Sequence, residues 1–366
     1  MTESPRSEPT MLDELAITRV RVPDDVHAPD AADFRDIAEV RNRVGTAIRG
    51  ADSVDITPEQ ILPHWKTSDE EVHGWLIRAS GALAGRALMY IPLEEGSRRA
   101  QLRVELLPEF WGRGHGRRTL GFLEDRARER GRDILQSWSE HAPAGGDRIA
   151  ARTGFGSIPV DRASRLMSGA GYSLEQVYRI STLDLTRELD AIERLRETAR
   201  AAASAYRYVS WLAPTPDEWI DDYAWMKSRM STDAPAGDAV VDEETWDADR
   251  IRRMEAQWGD SGTTTIVGAA QHRESGRLVA FTELVSFRVP GKPIEQNDTL
   301  VLRDHRGHRL GVLVKTETLL RARGVFPEGE RIVTGNAEEN RPMLDINEAM
   351  GFTPTRYNGE WQKIAG

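Results

Sequence analysis

Apolar and polar positions along the chain change period in the same order twice. In the first pass an apolar stretch from Trp75 to Ser80 turns at Gly81 into Leu83–Leu93, and a third strand-like stretch begins at Arg99. In the second, Arg277–Phe287 turns through Val289-Pro290-Gly291-Lys292-Pro293 and re-enters at Glu295. Such runs, bounded by Gly and Pro, predict strands and hairpins. Each pass then switches to a helical period. Leu120, Leu123 and Ala127 share one face in the first, and Leu313, Leu319 and Leu320 in the second. Gly131 and Gly324 are the expected helix stops, since glycine accepts a left-handed C-terminal conformation. Further strands are expected at Asp133–Leu135 and Arg331–Val333. Each pass closes with a helix ending in Gly171-Tyr172 or Gly351-Phe352, then a last strand.

The first copy is the longer, and its extra residues are expected between His141 and Pro159. An Ala-, Glu- and Arg-rich stretch from Thr186 to about residue 205 predicts a connecting helix, with a new strand opening at Tyr206. The expected organisation is a disordered tail over 1–12, one domain over 13–205 and a second over 206–366. A chain of 366 residues with 39% hydrophobic positions has enough apolar material for two cores.

Between third strand and helix, both copies place a basic, glycine-bearing loop: Trp111-Gly112-Arg113-Gly114-His115-Gly116 and Arg306-Gly307-His308-Arg309-Leu310-Gly311. A strand that delivers such a loop into a helix N-terminus makes an anion cradle, because the first-turn N–H groups point outward along the positive end of the helix dipole. The spacing Gly112, Gly114, Gly116, Arg117 fails the dinucleotide fingerprint, and no phosphate-loop lysine follows.

These loops, their strand–loop–helix setting and their duplication resemble the GNAT superfamily of acetyl-CoA-dependent N-acetyltransferases. The later Asn340-Arg-Pro-Met343 through Asn347 to Gly351-Phe352 resembles that family's second motif. The resemblance implies a mixed α/β fold of two tandem GNAT-like domains, in layout like mycothiol synthase. Each would be a mostly antiparallel sheet flanked by helices, with a splayed parallel pair at the cofactor cleft. It implies acetyl-CoA as cofactor and a primary amine of a small molecule as acceptor. Val301, Leu302 and Arg303, the six residues 306–311, Asn336 and Asn340 would hold the cofactor in the second copy, and residues 111–116 in the first. Departures are local. Trp111 stands where Arg or Gln is usual, Arg309 replaces the middle glycine, and Asn347 and Met167 occupy the tyrosine position.

Chemistry narrows the choice of domain. A protonated amine of pKa about 10.4 needs a general base. The second copy offers Glu283, Glu295 and Asp298 near the expected thioester; the first offers only Glu105. The C-terminal domain is therefore the expected catalytic one, with Glu283, Glu295, Asp298 and Asn347 as catalytic candidates. The alternative is a catalytically degenerate CoA-binding regulatory or scaffolding protein. Asn336 and Asn340 also suit helix capping, and His305 and His308 suit anion contacts or an exposed turn. Trp219, Tyr223 and Met226 have core-face spacing, while Asp221, Asp222, Asp233 and Asp238 are candidates for recognising a cationic amine.

The formal net charge of −10 disfavours nucleic-acid and anionic-membrane partners. The absence of cysteine removes disulfides, thiol nucleophiles and thiolate metal sites. The histidine spacings suggest no metal site. No signal-like or membrane-length apolar run stands out, so a cytoplasmic monomer or homodimer is expected.

Overall fold

The computed structural model describes residues 14–50, 53–233, 237 and 239–365. The expected tail and Asp238 lie outside the described residues. The first half runs β1 (Leu15–Arg19), α1 (Ala32–Arg49), α2 (Pro58–Trp65), β2 (Glu70–Ala79), β3 (Ala82–Pro92), β4 (Arg99–Leu106), α3 (His115–Arg128) and β5 (Ile134–His141). A small hairpin of β6 (Arg148–Ala150) and β7 (Ser157–Pro159), then α4 (Arg162–Gly169) and β8 (Ser173–Asp184), complete it. The extra residues of the first copy form this hairpin. The connecting helix is α5 (Asp190–Ala202). The second half follows as β9 (Tyr206–Leu212), α6 (Asp217–Asp233), α7 (Ala248–Asp260), β10 (Thr264–His272), β11 (Leu278–Ser286) and β12 (Ile294–Val301). It ends with α8 (Leu310–Val325), β13 (Arg331–Ala337), α9 (Arg341–Met350) and β14 (Thr353–Ile364).

Gly131 has the left-handed φ of +70° expected just past α3. Gly324 does not stop its helix: α8 continues to Val325, and its Cα–C backbone stays helical through the glycine.

Twelve strands form one continuous sheet in the order β1-β2-β3-β4-β5-β14-β8-β13-β12-β11-β10-β9. Only β4–β5 and β12–β13 are parallel, as a strand–helix–strand crossover requires. Each parallel pair is short. The first ends at Leu102↔Ser137 and the second at Gln296↔Thr334, after which the strands part. The backbone groups of Arg103–Leu106 that would have faced β5 are thereby left without a strand partner, which opens a notch in the sheet.

The two halves exchange their closing strands. β14, the last strand of the second half, lies between β5 and β8, while β8 pairs with β13. Trp361 of β14 is fully buried in the first half's core with Leu135, Ile158 and Val177. Truncating a tryptophan so placed typically costs about 3–5 kcal/mol, so this strand is a major part of that core. Pairing direction also fixes facing. Trp138 lies opposite Glu360, and Ser139 opposite Gly359, so Trp138 and Glu360 share one sheet face and Ser139 takes the other.

Candidate functional site: two unequal clefts

In the first half, β4 ends at Leu106 and a 3-10 turn, Pro108–Phe110, leads into Trp111. The indole of Trp111 donates to the Leu106 carbonyl at 2.6 Å, with the Arg162 guanidinium 3.3 Å above its ring. Gly112 and Gly114 have φ of +75° and +81°, and a side chain at either would point into open space. Gly114 is the N-cap of α3 and no side chain caps that helix, so its first-turn N–H groups are offered outward. They open onto a cleft of about 470 Å³ that runs into the β4–β5 notch and is walled by Val44 and Ile48 of α1 and Leu166 and Met167 of α4.

The acids beside this notch have distinct fates. Glu105 is ion-paired to the buried Arg86; burial pushes its carboxyl up, but Arg86 and Arg103 more than offset this and hold it below the usual range. Glu140 receives Arg49 through two nitrogens at 2.8–3.0 Å and Arg356 at 2.8 Å. Glu360 differs. It makes no hydrogen bond or ion pair among the described residues, and burial, opposed by Arg99 and aided by Glu339 and Glu175, pushes it up to about 7.

Glu360 lines a second cavity, of about 430 Å³, which shares Trp138 with the first. Tyr90 and Trp246 add aromatic walls, and Glu70, Glu94 and Glu244 add acid. Two cations also line it, but Arg250 is paired with Glu94 and Arg99 with Asp242. A chamber of aromatic faces and carboxylates is complementary to a cation.

The second half builds the same loop and closes it differently. Arg309, at φ +56°, caps α8 from the left-handed region that Gly114 occupies in the first half, again without a side-chain cap. Asp233, the last residue of α6, lies against this loop, its carboxylate 3.2 Å from Arg306, 3.7 Å from Arg303 and 3.5 Å from Arg229. Arg306 also donates to the Val301 carbonyl at 3.1 Å.

The expected acid set does not assemble as a free base. Lys227 of α6 is buried and places its ammonium 3.2 Å from Glu283 and 2.6 Å from Asp298. Tyr223 donates to Glu283 at 2.5 Å. Burial alone would lower Lys227, but the two carboxylates hold it well above the ordinary lysine value. Burial keeps Glu283 above the usual carboxylate range although Lys227 opposes it.

Glu295 lies apart, in a cavity of about 220 Å³ with Arg41, Arg49, Lys292 and Arg356. Asn347 is buried and donates to Asn336 at 2.6 Å, while Asn340 caps α9 by accepting from the Met343 N–H. Leu310 and Gly311 begin α8, with Leu310 buried, and Leu302 packs partly buried against the core. Gly307 and His308 are exposed; His305 meets the Tyr206 ring edge-on and His308 meets it at a tilt, and the Tyr206 hydroxyl lies 3.0 Å from His305. Asp222 is buried and receives Arg277 and the Leu278 N–H, whereas Asp221 is exposed. Among the described residues no group of three or more His, Asp or Glu side chains is arranged to hold a metal ion. No helix among them is long and apolar enough to cross a membrane.

Residues 37–145 match the profile of the acetyltransferase (GNAT) family. A tandem GNAT protein from the clavulanic acid biosynthesis pathway superposes with a TM-score of 0.73 at 21% identity, over 96% of this chain and 99% of that one. This is the tandem GNAT fold. A GCN5-related N-acetyltransferase from Sphaerobacter thermophilus superposes at TM-score 0.60 and 16% identity, over 95% of both chains. A glucosamine N-acetyltransferase region in a fungal multi-domain β-N-acetylglucosaminidase gives 0.60 at 13%, over 99% of this chain and 40% of that one. No curated protein sequence matches.

The profile match falls on the first GNAT half, the one with the open notch. Sequence reasoning missed Glu360 there because a final strand is expected to close its own half. The signal for the other overlooked group was present: Ser139-Glu140-His141 ends the strand at the start of the extra segment, and Asp161 follows it.

Proposed function

We propose that the N-terminal GNAT half transfers an acetyl group from acetyl-CoA to the amine of a cationic small molecule, and that the C-terminal half serves as its scaffold. One observation carries this: the uncapped glycine loop opens on a cleft that meets, at Trp138, an acidic aromatic chamber holding the partnerless Glu360. The C-terminal half, favoured by its three acids, has two of them sharing the single cation of Lys227, and Asp233 engages Arg303 and Arg306 at its loop.

Each part of the chemistry has an assigned group. The outward N–H groups of α3, with Arg113 and Arg117 beside them, suit the anionic phosphates of the cofactor. When bound, the cofactor supplies an activated thioester. The backbone N–H groups that β4 turns toward the notch beyond Leu102, where β5 no longer pairs with it, suit a developing oxyanion. Tyr90, Trp138 and Trp246 receive the cationic amine, and Glu360, poised near neutrality, takes its proton. Val44 and Ile48 help exclude water from the notch.

Calorimetric titration of acetyl-CoA tests the assignment, using one charge reversal in each loop. Arg113→Glu is expected to weaken binding at least tenfold, and Arg309→Glu to leave it within about twofold, since each 1.4 kcal/mol is a factor of ten. The opposite result moves the cofactor to the C-terminal half. Absence of binding to the wild type removes the acetyltransferase reading.

A further inference from the structure

A GNAT-type transfer ends with a thiolate that must take up a proton, and the tyrosine position on α4 holds Met167 in this half. A different proton-bearing line reaches the same cleft. Ser139 lines it from β5. Its Oγ lies 2.6 Å from Nε2 of the buried His141, whose Nδ1 lies 2.7 Å from Oδ2 of Asp161. Asp161 is the N-cap of α4, and its Oδ1 accepts the N–H groups of Ala163 and Ser164 at 2.9 and 3.0 Å. Burial pushes this carboxyl up, but the bonds from His141 and from the helix N–H groups hold it below its ordinary value. An ionised Asp161 keeps a proton on Nδ1, so Nε2 is the end that exchanges protons with Ser139.

The indole N–H of Trp361 fixes the rest. It donates to Ser139 Oγ at 2.7 Å, and an indole nitrogen can only donate. One lone pair of Oγ is therefore taken. When His141 carries its second proton, Nε2–H takes the other lone pair, and the hydroxyl hydrogen has no remaining direction but the cleft.

We propose that Ser139 is the proton donor to the departing thiolate, recharged by His141 and oriented through it by Asp161. This rests on the acetyl-transfer reading above. The acceptor nitrogen forms the C–N bond as the C–S bond breaks. The thiolate sulfur takes the Ser139 proton, and Oγ takes the proton from Nε2. An ammonium acceptor has already given one proton to Glu360; the second, lost by the nitrogen once the C–N bond has formed, passes through cleft water and Ser139 to Nε2, so the relay ends as it began. Ser139 is the catalytic residue; His141 and Asp161 position and recharge it.

The competing role is structural, since the Trp361–Ser139 bond also ties β14 to β5. Two variants separate the roles. Ser139→Ala removes donor and tie together, whereas Trp361→Phe removes the tie and one constraint on the hydroxyl but keeps the donor, His141 and Asp161. Thiol release from acetyl-CoA is followed with hydroxylamine as acceptor, a nucleophile that is neutral near pH 7 and does not call on Glu360. Expected is a loss of about ten- to a hundredfold in kcat for Ser139→Ala with acetyl-CoA affinity unchanged by calorimetry, and for Trp361→Phe a clearly smaller loss of kcat together with a lower denaturant midpoint. Unchanged kcat in Ser139→Ala, or equal losses in both variants, overturns the relay and leaves the acetyl-transfer reading standing. A wild type that binds no acetyl-CoA overturns both.

Discussion

The two halves share strand order, a short parallel pair, a basic loop and an uncapped helix, yet the first opens on a large cleft while in the second the protein's own side chains engage the acids Glu283 and Asp298 and the loop residue Arg306. The difference comes from the helices that precede the sheet motif. In the first half α1 contributes Val44 and Ile48 as walls and spends Arg49 on Glu140. In the second, α6 sends Lys227 between Glu283 and Asp298 and lays Asp233 against the loop arginines. Counting acids near the expected thioester favours the second half, where Glu283 and Asp298 share Lys227 and Glu295 lies apart.

The largest effect expected from breaking this asymmetry is catalytic. Glu360→Gln should lower kcat by about a hundredfold or more, the usual scale for losing a general base. In the wild type kcat/KM should climb as pH rises through about 7, where Glu360 loses its proton, and then level off; in Glu360→Gln that limb should be absent. Stability should run the other way. The folded chain holds this proton to a higher pH than the unfolded chain, so its favourable contribution is present below the unfolded value and lost as pH rises through about 7. Glu360→Gln should therefore melt higher than wild type at pH 8.

Next in size is the buried cluster around Lys227. Lys227→Met leaves Glu283 buried without its cation, and denaturant unfolding should report a loss of about 3–5 kcal/mol. Acetyl-CoA affinity should be unchanged, because the proposed cofactor cleft is in the other half. A large fall in affinity would show that the two clefts are not independent.

A smaller effect is expected from Asp233→Asn, which releases Arg303 and Arg306. Calorimetric stoichiometry should change from one acetyl-CoA per chain toward two, the second site weaker. A wild type that already binds two ends the comparison. Smallest is Arg309→Gly. A non-glycine residue in the left-handed region costs about 1 kcal/mol or somewhat more, so the variant should gain up to about 1 kcal/mol in thermal unfolding.

Local signals were legible where they suffice. The hairpins before β4 and β12, the glycine loops, the connecting helix and the burial of Tyr223 and Met226 follow from period and turn chemistry over short stretches. Gly324 was misleading because glycine permits a stop without imposing one, and α8 runs through it. The site was less legible because its decisive contacts are long-range. Lys227 meets Asp298 from 71 residues away and Trp361 meets Ser139 from 222. No periodicity carries that information. The mutual distances among Ser139, His141 and Asp161 depend in turn on the β6–β7 hairpin, which returns the chain to the start of α4.

The exchanged closing strands also govern how the molecule comes into being. While the chain is being made, the first half has its loop, its α3 and its notch, but the edge of β5 and the socket for Trp361 stay empty until the second half has emerged. An open strand edge is a template for any passing strand, and pairings this distant in sequence form slowly. Completion of the first half is therefore tied to synthesis of the second. Fragments cut near residue 205 would each lack a strand that only the other supplies, and mixing the two is the route by which both would be made whole.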